Sequence, residues 1–154
     1  MALRGWATFA WQADYGQFYL MDCDDSAFRP PVEITAEIEM RSLFVPAAGL
    51  VIYTHDCLQQ HIRISIHDSE PDHSPVEPMR GKPWTRVETV KTRFPSQKFT
   101  ISSPSTPYPL PGGPVFLLDA ASVTTRISWM EFQDSRDDSV PVEPDVIEIT
   151  FWTR

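Results

Sequence analysis

The sequence predicts an all-β protein, an antiparallel β-sandwich of about nine or ten strands with little or no helix. Three observations lead there. His61-Ile62-Arg63-Ile64-Ser65-Ile66-His67 alternates polar and apolar residues without exception, so three isoleucines share one face and His61, Arg63, Ser65 and His67 the other. A period of two with β-branched residues on one side marks a half-buried strand. Similar alternating runs recur along the chain between clusters of turn-forming residues. Finally, fifteen prolines against six glycines divide the 154 residues into short pieces, and proline is excluded from helix interiors and central strands alike.

Taken in order, Trp6 to Trp11 and Gln17 to Cys23 alternate around Asp14-Tyr15-Gly16 and predict a hairpin with a turn longer than the tight two-residue kind. Asp22 to Pro31, with three acids and two prolines, is a loop. In Val32 to Met40 the apolar Ile34, Ala36, Ile38 and Met40 fall on one face and Glu33, Thr35, Glu37 and Glu39 on the other, which predicts a strand. Pro46-Ala47-Ala48-Gly49 turns the chain into Leu50-Val51-Ile52-Tyr53-Thr54, apolar enough to be a strand covered on both faces. With the isoleucine strand that follows, it forms the expected central pair.

Asp68 to Pro78 reads as a proline-punctuated loop. Trp84 to Phe94 alternates with neither face purely apolar, as an edge strand does, and Lys98 to Ser102 is a further strand. Ser103 to Pro114 holds five prolines and two glycines in twelve residues; it cannot be regular structure and is the expected divide between the two sheets. Val115 to Leu118, Val123 to Phe132 and Val146 to Trp152 complete the strands, with an acidic loop from Gln133 to Asp145. There is no internal repeat, and residues 1–154 read as one sandwich-like domain, long enough to bury a core without disulfides or metal.

Charge narrows the partners. With 21 acidic and 13 basic residues the net charge is −8, which disfavours nucleic acid and anionic membrane. It is unevenly spread: Arg80 to Lys98 carries six basic residues and one acid, whereas Glu131 to Glu148 carries seven acids and only Arg136. The N-terminus lacks the uninterrupted apolar run of a secretory leader, no segment approaches a membrane span, and Cys23 and Cys57 are too few for a disulfide framework. The expected compartment is the cytoplasm.

Several constellations could carry chemistry. His55, Cys57 and His61 place three transition-metal donors within seven residues, although the spacing matches no standard zinc site. Ser65, His67 and Asp68 could be written as a nucleophile, base and acid, but adjacent strand residues point to opposite faces. There is no nucleophile elbow and no glycine-rich phosphate loop. Glu37 and Glu39 would project together from a strand, as an acid/base pair must. Trp6, Trp11, Trp84, Trp129 and Trp152 are either core or a platform for carbohydrate or peptide. The acid-rich loops suit a different role. A nuclease offers its substrate a positive cleft, and carboxylates laid over that cleft imitate phosphate. On this reading the chain is a non-catalytic acidic protein that neutralises a basic partner, a nuclease or toxin. Its contact residues would be Asp68, Glu70, Asp72, Asp134, Asp137 and Asp138.

The order of these features resembles the competence protein J family, small inhibitors of a DNA-entry nuclease. The resemblance is carried by the early strand Tyr15-Gly16-Gln17-Phe18-Tyr19-Leu20 with its acid-and-proline loop, and by Ala47-Ala48-Gly49-Leu50 leading into a central strand. Ile62-Arg63-Ile64-Ser65-Ile66 followed by Ser69-Glu70, then Trp84 to Val90 and the late strand near Trp152, also agree. Ser103 to Pro114 and Gln133 to Asp145 depart from it. The resemblance implies an all-β inhibitor that blocks a nuclease by binding it, with no cofactor and no turnover. It carries over no individual functional residue.

Overall fold

The isoleucine strand is β5 (Gln59–His67), and its three isoleucines are buried while His61, Arg63 and Ser65 on the opposite face are half-buried. Around it the computed structural model, which describes residues 2–24, 27–55, 59–105, 114–132 and 144–153, builds two five-stranded sheets and a short ribbon. The first sheet has the order β1 (Leu3–Gln12), β5, β12 (Val146–Trp152), β11 (Ser122–Met130), β8 (Arg86–Arg93). The second has the order β10 (Phe116–Leu117), β9 (Lys98–Ser102), β2 (Gln17–Asp22), β4 (Gly49–Tyr53), β3 (Leu43–Phe44). The ribbon is β6 (Val76–Glu77) with β7 (Lys82–Pro83). The architecture is therefore the expected β-sandwich. Every pairing is antiparallel except β5 with β12, which run parallel.

Several expected connections are different. β1 and β2 do not form a hairpin. Tyr15 and Gly16 both have positive φ, 54° and 68°, and with the Asp14–Gln17 bridge they make the tight reversal that a two-residue turn allows. Beyond it the chain passes to the other sheet, where β2 pairs with β4 and β9, while β1 pairs with β5. β4 and β5 likewise belong to opposite sheets and are not a pair. The two strands flanking Ser103 to Pro114, β9 and β10, pair with each other in one sheet. That segment, whose residues 106–113 lie outside the described residues, does not divide the sheets; the crossing comes between β10 and β11.

The strand expected over Val32 to Met40 is replaced by a helix, α1 (Ala36–Arg41). Thr35 caps it, its hydroxyl accepting from the Ile38 N–H at 3.3 Å, and Ser42 closes it in the left-handed conformation. Glu37 lies 3.8 Å from Arg41 one turn on, a pairing that a helix rewards. Of the supposed apolar face only Ile38 is buried, while Ile34 and Met40 are exposed. Glu37 and Glu39 therefore do not project side by side from a strand.

The sheets face each other across one apolar layer. Phe18, Leu20, Leu50, Ile52, Phe99 and Ile101 from the second sheet meet Ile62, Ile64, Ile127, Trp129, Ile149 and Phe151 from the first. β4 is covered on both sides, as expected: Leu50 and Ile52 enter this layer and Val51 packs outward with Tyr19, Met21 and Phe28. Gly49 makes that outer packing possible. Its φ is 155°, and a Cβ there would press on the Leu20 carbonyl oxygen and lie 2.8 Å from the Phe28 ring. A backbone carbonyl inside a sheet cannot retreat. Gly49→Ala is expected to lower the unfolding free energy by about 2 kcal/mol, read as a lower urea midpoint; an unchanged midpoint would show that the Phe28 side moves freely.

Candidate functional site

The outer face of the first sheet carries the densest polar chemistry among the described residues. Alternation puts it there: burying the isoleucines of β5 forces Arg63, Ser65 and His67 to the other side. Strand register then aligns them with outward residues of the neighbours. Trp6, Ser65, Thr150 and Arg126 form one cross-strand row, and Thr8, Arg63, Glu148 and Ser128 the next.

Much of this face is roofed by residues 70–84, which take in most of the expected loop Asp68 to Pro78 and include the β6–β7 ribbon. Glu77, fully buried, accepts from Arg63 at 2.6 Å and from the N–H groups of Met79 and Arg80 at 3.2 and 2.6 Å. Arg63 reaches Glu148 with its other nitrogen at 2.9 Å. Burial pushes the Glu77 carboxyl up, but the Arg63 hydrogen bond, the two N–H groups and the Arg63 charge outweigh it and hold the group below the ordinary range. His73 lies 3.0 Å from the Ser128 hydroxyl and stacks on Trp84, whose N–H donates to the Ser74 carbonyl. Arg126 donates to the Pro71 carbonyl at 3.2 Å and lies 3.6 Å from the Glu70 carboxylate. The roof is thus tied down on both of these rows, through Arg126 on one and through Arg63 and Ser128 on the other.

Between the roof and β1 a cleft of about 360 Å³ remains, with Ser65, Thr150 and His67 on its floor and Trp6, His73 and Trp84 at its sides. Both histidines are held below their ordinary pKa, first by burial and then by the Arg126 charge. The unfolded chain therefore takes up these protons at a higher pH than the folded one. The corresponding stability is fully present above the unfolded histidine value of about 6.5 and is lost as pH falls through the lower folded values. Urea midpoints are expected to drop between neutral pH and about pH 5, and His67→Gln is expected to remove part of that drop. A midpoint independent of pH over this range would contradict the burial of uncharged imidazoles.

The residues singled out from sequence are distributed as follows. Asp68 is half-buried and occupied internally: it accepts from the Ala2 N–H at 2.7 Å and the Ser69 hydroxyl at 3.1 Å, and the first of these contacts leads in lowering its pKa. Glu70 and Asp72 are exposed on the roof. Asp134, Asp137 and Asp138 lie outside the described residues, as does Cys57. His55 follows β4 in the second sheet, 3.8 Å from Glu131. His61 is on β5 of the first sheet, where its Nδ1 accepts from Arg80 at 3.2 Å because a guanidinium only donates. Among the described residues no three His, Cys, Asp or Glu side chains are grouped to hold a metal ion. Ser65 contacts Thr150 at 3.4 Å, and the Asp68 carboxylate is turned to Ala2 and Ser69, so the structure shows no nucleophile–base–acid relay from Ser65, His67 and Asp68. The tryptophans divide: Trp129 and Trp152 are buried, Trp11 and Trp84 half-buried, and Trp6 is 69% exposed.

Sequence reasoning missed Arg126 and Glu77. A lone cation in the middle of the strand run Val123 to Met130 was the available signal for Arg126. Glu77, sandwiched between Val76 and Pro78, looked like one more solvated acid. No helix among the described residues is long and apolar enough to cross a membrane.

No known family matches the sequence, and no curated protein does. Solved structures do match. ComJ of Bacillus subtilis, inhibitor of the DNA-degrading activity of NucA, superimposes with a TM-score of 0.72 at 14% identity, covering 100% of both chains. The crocagin biosynthetic gene J protein superimposes with a TM-score of 0.58 at 15% identity, covering 99% of this chain and 98% of the other. Identities this low speak to architecture alone, and end to end the architecture of this chain is that of ComJ.

Proposed function

We propose that this chain is a non-catalytic inhibitor that acts in the cytoplasm by binding a basic partner, a DNA-degrading nuclease. The observation that carries the reading is the full-length likeness to ComJ, a protein that inhibits a nuclease. The charge supports it. At −8 the chain is drawn to a positive cleft, and such attraction speeds encounter more than it strengthens the final complex. Glu70 and Asp72 on the roof, together with Asp68 beside them and Asp134, Asp137 and Asp138 in the acidic segment, supply the contact carboxylates of this proposal.

Purified chain mixed with the nuclease of its own host tests the reading. Reversing Asp134, Asp137 and Asp138 to lysine is expected to slow association about tenfold at low salt with little change in melting temperature. An unchanged association rate would remove that segment from the interface; a loss confined to the double variant Glu70→Lys and Asp72→Lys would place the contact on the roof.

A further inference from the structure

β8 ends the first sheet and β3 the second, and α1 spans that side of the sandwich. Arg41 reaches Glu88 on β8 at 3.2 Å, Arg86 donates to the Met40 carbonyl at 2.7 Å, and Leu43 opens β3 directly after the Ser42 cap. Between α1 and β3 a groove of about 510 Å³ is left. Its apolar lining is graded: Ile38 and Leu43 are buried, Phe44 is half-buried, and Val32 and Val45 are exposed at 103% and 36%. Single exposed apolar residues are ordinary on a protein surface, but here Ile34 and Met40, from the same stretch, are exposed as well. Covering such side chains is favourable.

Charge and backbone decide what covers them. The lining holds Glu33 and Glu37 against one cation, Arg41, which is already shared by Glu37 at 3.8 Å and Glu88 at 3.2 Å. Glu39 adds an exposed carboxylate to the same helix. A groove that is apolar at its floor and acidic at its rim complements an apolar side chain flanked by lysine or arginine. β3 pairs with β4 alone and has no strand on its outer side among the described residues, so a segment that enters can lie extended along it. A second copy of this chain would bring the same net charge of −8 to an acidic rim.

We propose that this groove is a docking site for the basic partner. An extended segment of the partner lies beside β3, seats an apolar side chain among Val32, Ile38 and Val45, and sets lysine or arginine against Glu33 and Glu37. The proposal rests on the inhibitor reading and adds a contact that lies outside the acid-rich loops.

Binding of the whole chain to the immobilised DNA-degrading nuclease of its own host tests it. Val32→Asp combined with Val45→Asp is expected to weaken the complex about tenfold. Glu33→Lys combined with Glu37→Lys is expected to slow association about tenfold at low salt. Both variants should keep the original melting temperature, since all four side chains are exposed. Val115→Asp, at an exposed valine beside β10 on the opposite end of the second sheet, is expected to change neither affinity nor rate. An unchanged result in either groove variant overturns the proposal and leaves the inhibitor reading in place, whereas absence of binding by the original chain overturns both. An equal loss in Val115→Asp overturns it too, as does a dimer of this chain that the double valine variant takes apart.

Discussion

Trp129→Ala is expected to lower the unfolding free energy by about 4 kcal/mol. Trp129 is the bulkiest fully buried side chain, and its position on β11 points it into the layer between the sheets. It also ties them polarly, since its indole N–H donates to the Tyr53 carbonyl at the end of β4, 3.0 Å away in the opposite sheet. Truncation would open a cavity that neither sheet can fill without bending, and would leave that carbonyl without its partner. For a chain of this length the corresponding drop in melting temperature is about 10 °C. Trp129→Phe separates the two contributions: it keeps most of the packing and loses the hydrogen bond, for about 1–2 kcal/mol. If alanine and phenylalanine cost the same, packing between the sheets is not what holds the sandwich together here.

Glu77→Ala is expected to cost about 3 kcal/mol. The substitution strips one partner from Arg63 and leaves the Met79 and Arg80 N–H groups without the oxygens that receive them. Arg63 retains Glu148, which limits the loss. Glu77→Gln keeps an acceptor but not the charge, and should fall between the two. The effect has an address as well as a size. Amide hydrogen exchange should quicken across residues 76–84 before the sheets respond, because the ribbon is pinned through this carboxylate. Uniform acceleration over the whole chain would mean that the roof and the sandwich unfold as one. The pH dependence has the same sign as that of the histidines: a carboxyl held below its ordinary pKa contributes above the unfolded value and loses that contribution as acid protonates it in the folded state.

The strands were legible wherever one face is dry. In β5 every isoleucine had to face the core, and a shift of one residue would have put all three in water. β4 was legible for the opposite reason, being apolar on both faces because both are covered. Partnership was not legible. Nothing local to Trp6–Trp11 indicates that β1 pairs with β5 rather than β2, since a turn at Tyr15–Gly16 serves a hairpin and a crossing equally well. The parallel match of β5 with β12 is decided by long-range packing alone. α1 was misread because the nine residues from Val32 to Met40 alternate apolar and polar side chains and so satisfy a strand pattern, while its deciding contacts, the Thr35 cap and the Arg41 ion pairs with Glu37 and Glu88, depend on the folded path.

The site followed the same division. Arg63, Ser65 and His67 were correctly assigned to one face from spacing. The roof was read as a solvated loop because its acids find their cations, Arg63 and Arg126, on strands distant in sequence. A proline-rich acidic run has the same composition whether it floats in water or lies clamped on a sheet. Trp6 and Trp129 show the limit from the other side: two identical residues on alternating strands, one fully buried and one standing in solvent.

We propose that this scaffold works by occupying another protein rather than by chemistry of its own. Titrating DNA cleavage by the host nuclease with increasing amounts of this chain tests it most directly. Inhibition should rise linearly and be complete near equimolar ratio, with the association rate falling steeply as salt is added. Undiminished cleavage in the presence of excess chain would contradict it.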